Sequence, residues 1–148
     1  MENIIVVAND AQYALQLIAP MKNEATPTRW IVLICPPKFK RHVSKWVNRG
    51  ALKSWRQAWA EQAAKTIEPV LTSGSDQMRW QCCHRALVNE VHELKAVWQT
   101  HRVLDARIPL LGASHDPVSA AQPMTTHDRW SVPGGVAMMG VMLVTAAD

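Results

Sequence analysis

Ile4-Ile5-Val6-Val7-Ala8-Asn9-Asp10 decides how the rest of this chain is read. Its apolar run is rich in β-branched residues and stops at two polar, turn-forming ones. A run without polar alternation predicts a strand covered on both faces, as parallel strands are. Ala14, Leu17, Ile18 and Met21 then recur at helical spacing, with Asp10 placed to cap the first turn. Pro20 falls inside that pattern and predicts a kink or an early end. A second apolar run, Trp30 to Cys35 (WIVLIC), is closed by Pro36-Pro37. Strand, helix and strand in this order form a βαβ unit of about 30 residues, whose crossover is right-handed.

Reading outward, Leu52, Trp55, Trp59, Ala63, Ile67 and Val70 step by three or four and predict one apolar helix face. Lys53, Arg56, Gln57, Glu61 and Lys65 fall largely on the other. Ser73-Gly74-Ser75-Asp76 breaks the chain, and Met78, Trp80 and Cys82 alternate with polar partners as a third strand would. Leu87, Val91, Leu94 and Trp98 predict a third amphipathic helix. Val103 to Leu111 reads as a fourth strand in which Pro109 implies an edge position, a bulge or an early stop. Gly112 to Pro133 reads as a long loop, and Gly140 to Thr145 as a final strand. The expected whole is a single domain over residues 1–148. It is α/β, Rossmann-like, with three α/β/α layers around a mostly parallel five-stranded sheet. Ligands of such sheets bind in the loops that follow the carboxyl ends of the strands.

Composition limits the function classes. A hydrophobic share of 48% against 19% charged residues suits a packed domain and not a disordered one. The opening Met1-Glu-Asn-Ile has no basic segment before its apolar run, which argues against a secretory signal, and no stretch is long and apolar enough for a membrane span. Cys35, Cys82 and Cys83 are an odd count without repeated spacing, so reduced thiols in a cytoplasmic protein are expected. The net charge of +4 is unevenly laid out. No Asp or Glu occurs between Glu24 and Glu61, an interval holding Arg29, Lys38, Lys40, Arg41, Lys45, Arg49, Lys53 and Arg56. Such a block suggests an anionic partner, although a solvated helix face with a basic loop gives the same pattern. Trp46 sits among these cations, where an aromatic could stack on a base or staple the loop to the body.

The opening Ile4 to Leu15 resembles the first strand and helix entry of the universal stress proteins, and the element order and chain length agree with that family over nearly the full sequence. In that family an acidic residue commonly stands where Asn9 is, followed here by Asp10. Its nucleotide-binding members carry a loop G-x2-G-x9-G-[ST] after the fourth strand. The matching register here starts at Gly112, places His115 and Thr125 at the second and third glycines, and ends on Thr126. Phosphate loops use backbone N–H groups, which glycine presents without a Cβ in the way. His115 and Thr125 disfavour that geometry, and Pro117 and Pro123 remove two donors. The resemblance therefore implies the fold, with ATP or AMP binding weak or absent. It also implies a homodimer in which Val141-Met-Leu-Val144 pairs with its symmetry mate, since that strand would otherwise leave an open edge.

Other groupings carry less. Adjacent strand cysteines such as Cys82 and Cys83 point to opposite faces, so Cys82-Cys83-His84 reads as buried strand residues. Three consecutive residues, Ser114-His115-Asp116, cannot assemble a triad among themselves. His84, His92 and His101 lack the i, i+4 pairing of a helical metal site, and no metal is expected. Trp55, Trp59 and Trp98 are expected in the core. The sequence reads as a non-catalytic regulator of the stress-protein type. The alternatives are a nucleic-acid or polyanion binding module using residues 38–56, or a nucleotide-dependent enzyme of the same fold.

Overall fold

The computed structural model describes residues 1–22, 25–39, 45–109 and 115–120, and the backbone of 142–145. Its core is a parallel sheet of four strands: β1 (Glu2–Ala8), β2 (Thr28–Ile34), β3 (Gln77–Cys82) and β4 (Arg102–Ala106), side by side in the order β3-β2-β1-β4. The backbone of Met142–Thr145 (β5) runs antiparallel along β4. The strands β1 and β2 lie inside the sheet, and their apolar runs are buried without a break from Ile4 to Ala8 and from Trp30 to Ile34. In β3, at the sheet edge, exposure alternates. The difference follows from position, because an inner strand has two covered faces and an edge strand meets water.

Successive strand residues point to opposite faces. Ile4, Val6 and Ala8 pack with α1 (Ala11–Ile18) and α2 (Arg49–Leu71) through Ala14, Ile18, Ala60, Ala64, Ile67 and Leu71. Ile5 and Val7 pack instead with α3 (Leu87–Trp98) through Leu87, Val91 and Leu94. Val118 joins this second cluster, so the segment 115–120 returns to the α3 side.

The Asp10 carboxylate caps α1 by accepting the Tyr13 amide at 2.8 Å. At Pro20 the helix has already ended, at Ile18, in a single 3-10 turn over Ala19–Met21. The fourth strand stops at Ala106, before Pro109. In α2 the structure corrects the sequence reading. The buried line is Ala60, Ala64, Ile67 and Leu71, whereas Trp55 and Val70 are each 38% exposed. The seam is turned from the expected face toward Ala60 and Ala64, with Ile67 common to both. The helix lies against the sheet on its alanines, which let the backbones approach, and Trp59 and Ala63 pack beside them. Trp55 stacks at 4.7 Å on Phe39 rather than entering the core. Trp98 does pack on the α3-side cluster, with the Arg29 guanidinium 5.3 Å from its ring centre.

The amino ends of the strands are tied by hydrogen bonds. The Asp76 carboxylate, 7% exposed, accepts the Thr28 amide at 2.8 Å and the Trp30 indole N–H at 3.2 Å. Lys22 lies 3.9 Å from it and donates to the Val70 carbonyl at the end of α2. Asn3 donates to the Trp98 carbonyl at 2.9 Å, and the Thr100 hydroxyl to the Asn3 carbonyl at 2.6 Å.

Candidate functional site

The chain moves from β1 outward to β2 and β3, then returns to place β4 on the other side of β1. That reversal opens a crevice beyond the carboxyl ends of β1 and β4, the place where open α/β sheets take ligands. Asn9 and Asp10 enter it from β1, and Arg107, Ile108 and His115 from beyond β4. Their polar groups face one another. The Asn9 side-chain oxygen accepts the Ile108 amide at 2.8 Å, and a His115 ring nitrogen contacts the Ile108 carbonyl. Asp10 is engaged as the α1 cap. Arg107 forks onto Asp105, with Nε to Oδ1 at 2.8 Å and Nη2 to Oδ2 at 2.7 Å, both side chains largely buried. Bidentate geometry of this kind is strong, and an incoming phosphate would have to displace the carboxylate. The Tyr13 hydroxyl is pushed above its ordinary value by burial and then by the Asp105 charge, so it stays neutral.

Of the six residues expected to handle a nucleotide, the structure brings Asn9, Asp10 and His115 to this crevice. Gly112, Thr125 and Thr126 lie outside the described residues, as does Ser114. The same holds for Lys40 and Arg41 in the basic block.

The described members of that block divide into two kinds. Lys38 pairs with Asp116, and Arg56 donates to the Cys83 carbonyl at 2.8 Å. Lys45, Arg49 and Lys53 are exposed, and Trp46 is 90% exposed, with no ring contact among the described residues of the sort Trp55 makes. Asn48 starts α2 beneath them by accepting the Gly50 amide at 2.8 Å. The cations therefore project from one loop and the first turns of one helix.

The carboxyl ends of β2 and β3 hold a second group, which sequence reasoning missed. Cys82 and Cys83 do point to opposite faces, Cys82 toward α2 and Cys83 toward α3. Cys83 stands beside Cys35 on the neighbouring strand, and its thiol donates to the Arg85 carbonyl at 3.4 Å. The Cys83 thiol, followed by burial, pushes the Cys35 thiol far up. The Cys35 thiol in turn holds Cys83 below the ordinary thiol value, against burial and the Glu90 charge and with help from Arg56 and Lys38. Cys82 is raised by burial. Glu90, buried in the first turn of α3, accepts the His84 and Arg85 amides at 2.9 and 2.8 Å and fixes the β3–α3 connection. An open groove of about 520 Å³ runs past this connection, lined by Lys53, Gln57, Trp80, His84 and Arg85 among others.

Fold and site together define an α/β protein with a parallel sheet. Among the described residues no group of three or more His, Cys, Asp or Glu side chains is placed to hold a metal, and no helix is long and apolar enough to cross a membrane. Comparison with protein-family models, with curated proteins and with solved structures gives no match for this chain.

Proposed function

We propose that this chain is a non-catalytic regulatory protein built like the universal stress proteins, with three layers and a five-stranded sheet, whose nucleotide crevice has become a structural joint. One observation carries the reading. Asn9 is bonded to the Ile108 amide and Asp10 to the Tyr13 amide, so the two side chains best placed to meet a ligand hold β1, α1 and the β4 exit together. Arg107, a buried cation at the crevice, is neutralised by Asp105. Such a protein acts by binding a partner. It does so in the cytoplasm as a homodimer joined along Val141 to Val144, with ATP or AMP bound only weakly.

A second reading, polyanion binding, is favoured by the exposed Lys45, Arg49 and Lys53 around the 90% exposed Trp46. Calorimetric titration with ATP, AMP and a short oligonucleotide at 50 and 200 mM salt separates the readings. The proposal expects no saturation by nucleotide below about 1 mM, equivalent to about −4 kcal/mol. Oligonucleotide binding that falls steeply with salt would move the assignment to the second reading. Tight nucleotide binding with turnover would move it to an enzyme.

A further inference from the structure

Cys35 and Cys83 stand side by side, each one residue beyond the last paired position of β2 and β3, Ile34 with Cys82. The ladder continues through both. The Cys83 amide donates to the Ile34 carbonyl at 2.8 Å, and the Cys35 amide to the Ala8 carbonyl at 2.7 Å. Both side chains face the α3-side cluster, and both are free thiols. Neighbouring strands lie about 4.8 Å apart, within the Cα separation of about 4.4–6.8 Å that a disulfide spans. Cys82 points to the opposite face and cannot substitute for either partner.

We propose that Cys35 and Cys83 form a dithiol site that hydrogen peroxide converts to a disulfide. The two thiols have different roles. Arg56, bonded to the Cys83 carbonyl, and Lys38 bring positive charge to Cys83, with Glu90 of α3 opposing them, while Asp105 of β4 and Arg107 just beyond it act on Cys35. Cys83 is thus the thiol that ionises more readily and Cys35 the one that keeps its proton. The Cys83 thiolate attacks one peroxide oxygen, the O–O bond breaks, and hydroxide leaves to take up the released proton as water. Cys83 is then a sulfenic acid. The Cys35 sulfur attacks it, the S–S bond forms, the S–O bond breaks, and a second water leaves with the Cys35 proton. Two thiols and one peroxide become one disulfide and two waters, and peroxide is the electron acceptor. Cys83 is 6% exposed, which admits a small oxidant and resists a bulky one.

The test treats the full chain with hydrogen peroxide, alkylates the remaining thiols in denaturant and maps the peptides by mass. The expected product has lost two hydrogens, contains a peptide joining Cys35 to Cys83, and carries the alkyl group on Cys82. In Cys35→Ser, Cys83 should stop as a sulfenic acid that dimedone traps. In Cys83→Ser, peroxide should react at least about tenfold more slowly. Cys82→Ser should keep the cross-link. Three alkylatable thiols after peroxide, a disulfide through Cys82, or dimedone on Cys35 in the unsubstituted protein would each overturn the proposal. Should Cys83→Ser fail to fold, the peptide map and Cys35→Ser decide alone.

Discussion

Asp76 and Glu90 are both buried carboxylates that accept backbone amides, one at each end of the sheet. Asp76, at the amino end, gathers an amide and an indole from β2 and the Lys22 ammonium, all of them structural groups. Glu90, at the carboxyl end, sits beside a thiol pair, a basic helix start and an open groove. The same residue chemistry therefore does different work. At the amino end its charge only locks β2, β3 and α2 together. At the carboxyl end it also sets the field around Cys83. Parallel sheets concentrate function at the second end because their connecting loops there face outward around a crevice.

The largest expected effect lies at the amino end. Asp76→Ala leaves the Thr28 amide and the Trp30 indole without their acceptor, on residues that are themselves 5% and 0% exposed. It should cost about 2–4 kcal/mol in urea unfolding. Glu90→Ala strands two amides beside the groove, where solvent can reach, and should cost about 1–2 kcal/mol. A larger loss at Glu90 than at Asp76 would break the comparison. Glu90→Gln sharpens it. The Glu90 charge raises Cys83, so removing it should move the pH profile of Cys83 alkylation to lower pH, a readout with no counterpart at Asp76.

Smaller effects follow. Gln99 ends α3 in the left-handed region at φ 49°, where a side chain is strained. Gln99→Gly should stabilise the amino end by up to about 1 kcal/mol, measured as a rise in Tm. The exposed Lys38–Asp116 pair holds the Asp116 carboxyl below its usual value. A depressed carboxylate contributes stability above the unfolded value of about 3.9, and that contribution is lost as pH falls through the folded value. Both groups are well exposed, so Asp116→Asn should change stability by no more than about 0.5 kcal/mol at pH 7 and by nothing at pH 2.

The inner strands were legible because burial on two faces leaves an unbroken apolar run, as in Ile4 to Ala8 and Trp30 to Ile34. Asp10 was legible because a cap acts within one turn of its own position. The seam of α2 was not, since small residues can define a contact face as well as large ones, and Ala60 and Ala64 carry no weight in a count of bulky side chains. Asp76, Glu90 and the Cys35–Cys83 contact were invisible for a different reason. Asp76 and the cysteine pair depend on which strands are neighbours and in what register, and Glu90 on how the β3–α3 connection folds back over it. A sequence shows two strand ends carrying a cysteine, but only the pairing of Ile34 with Cys82 puts those ends together. Half of the six expected nucleotide residues, Gly112, Thr125 and Thr126, lie outside the described residues and stand as sequence expectations.

The central claim is that the β1–β4 crevice is a joint and not a nucleotide site, and the Ile108 amide reports on it directly. Its hydrogen bond to Asn9 closes that joint at 2.8 Å. Amide chemical shifts followed while ATP is added to 1 mM should leave Ile108 and Tyr13 in place, with slow exchange of the Ile108 proton preserved. Saturable shifts of both amides at micromolar ATP would show that the joint opens to a nucleotide, and would contradict the account.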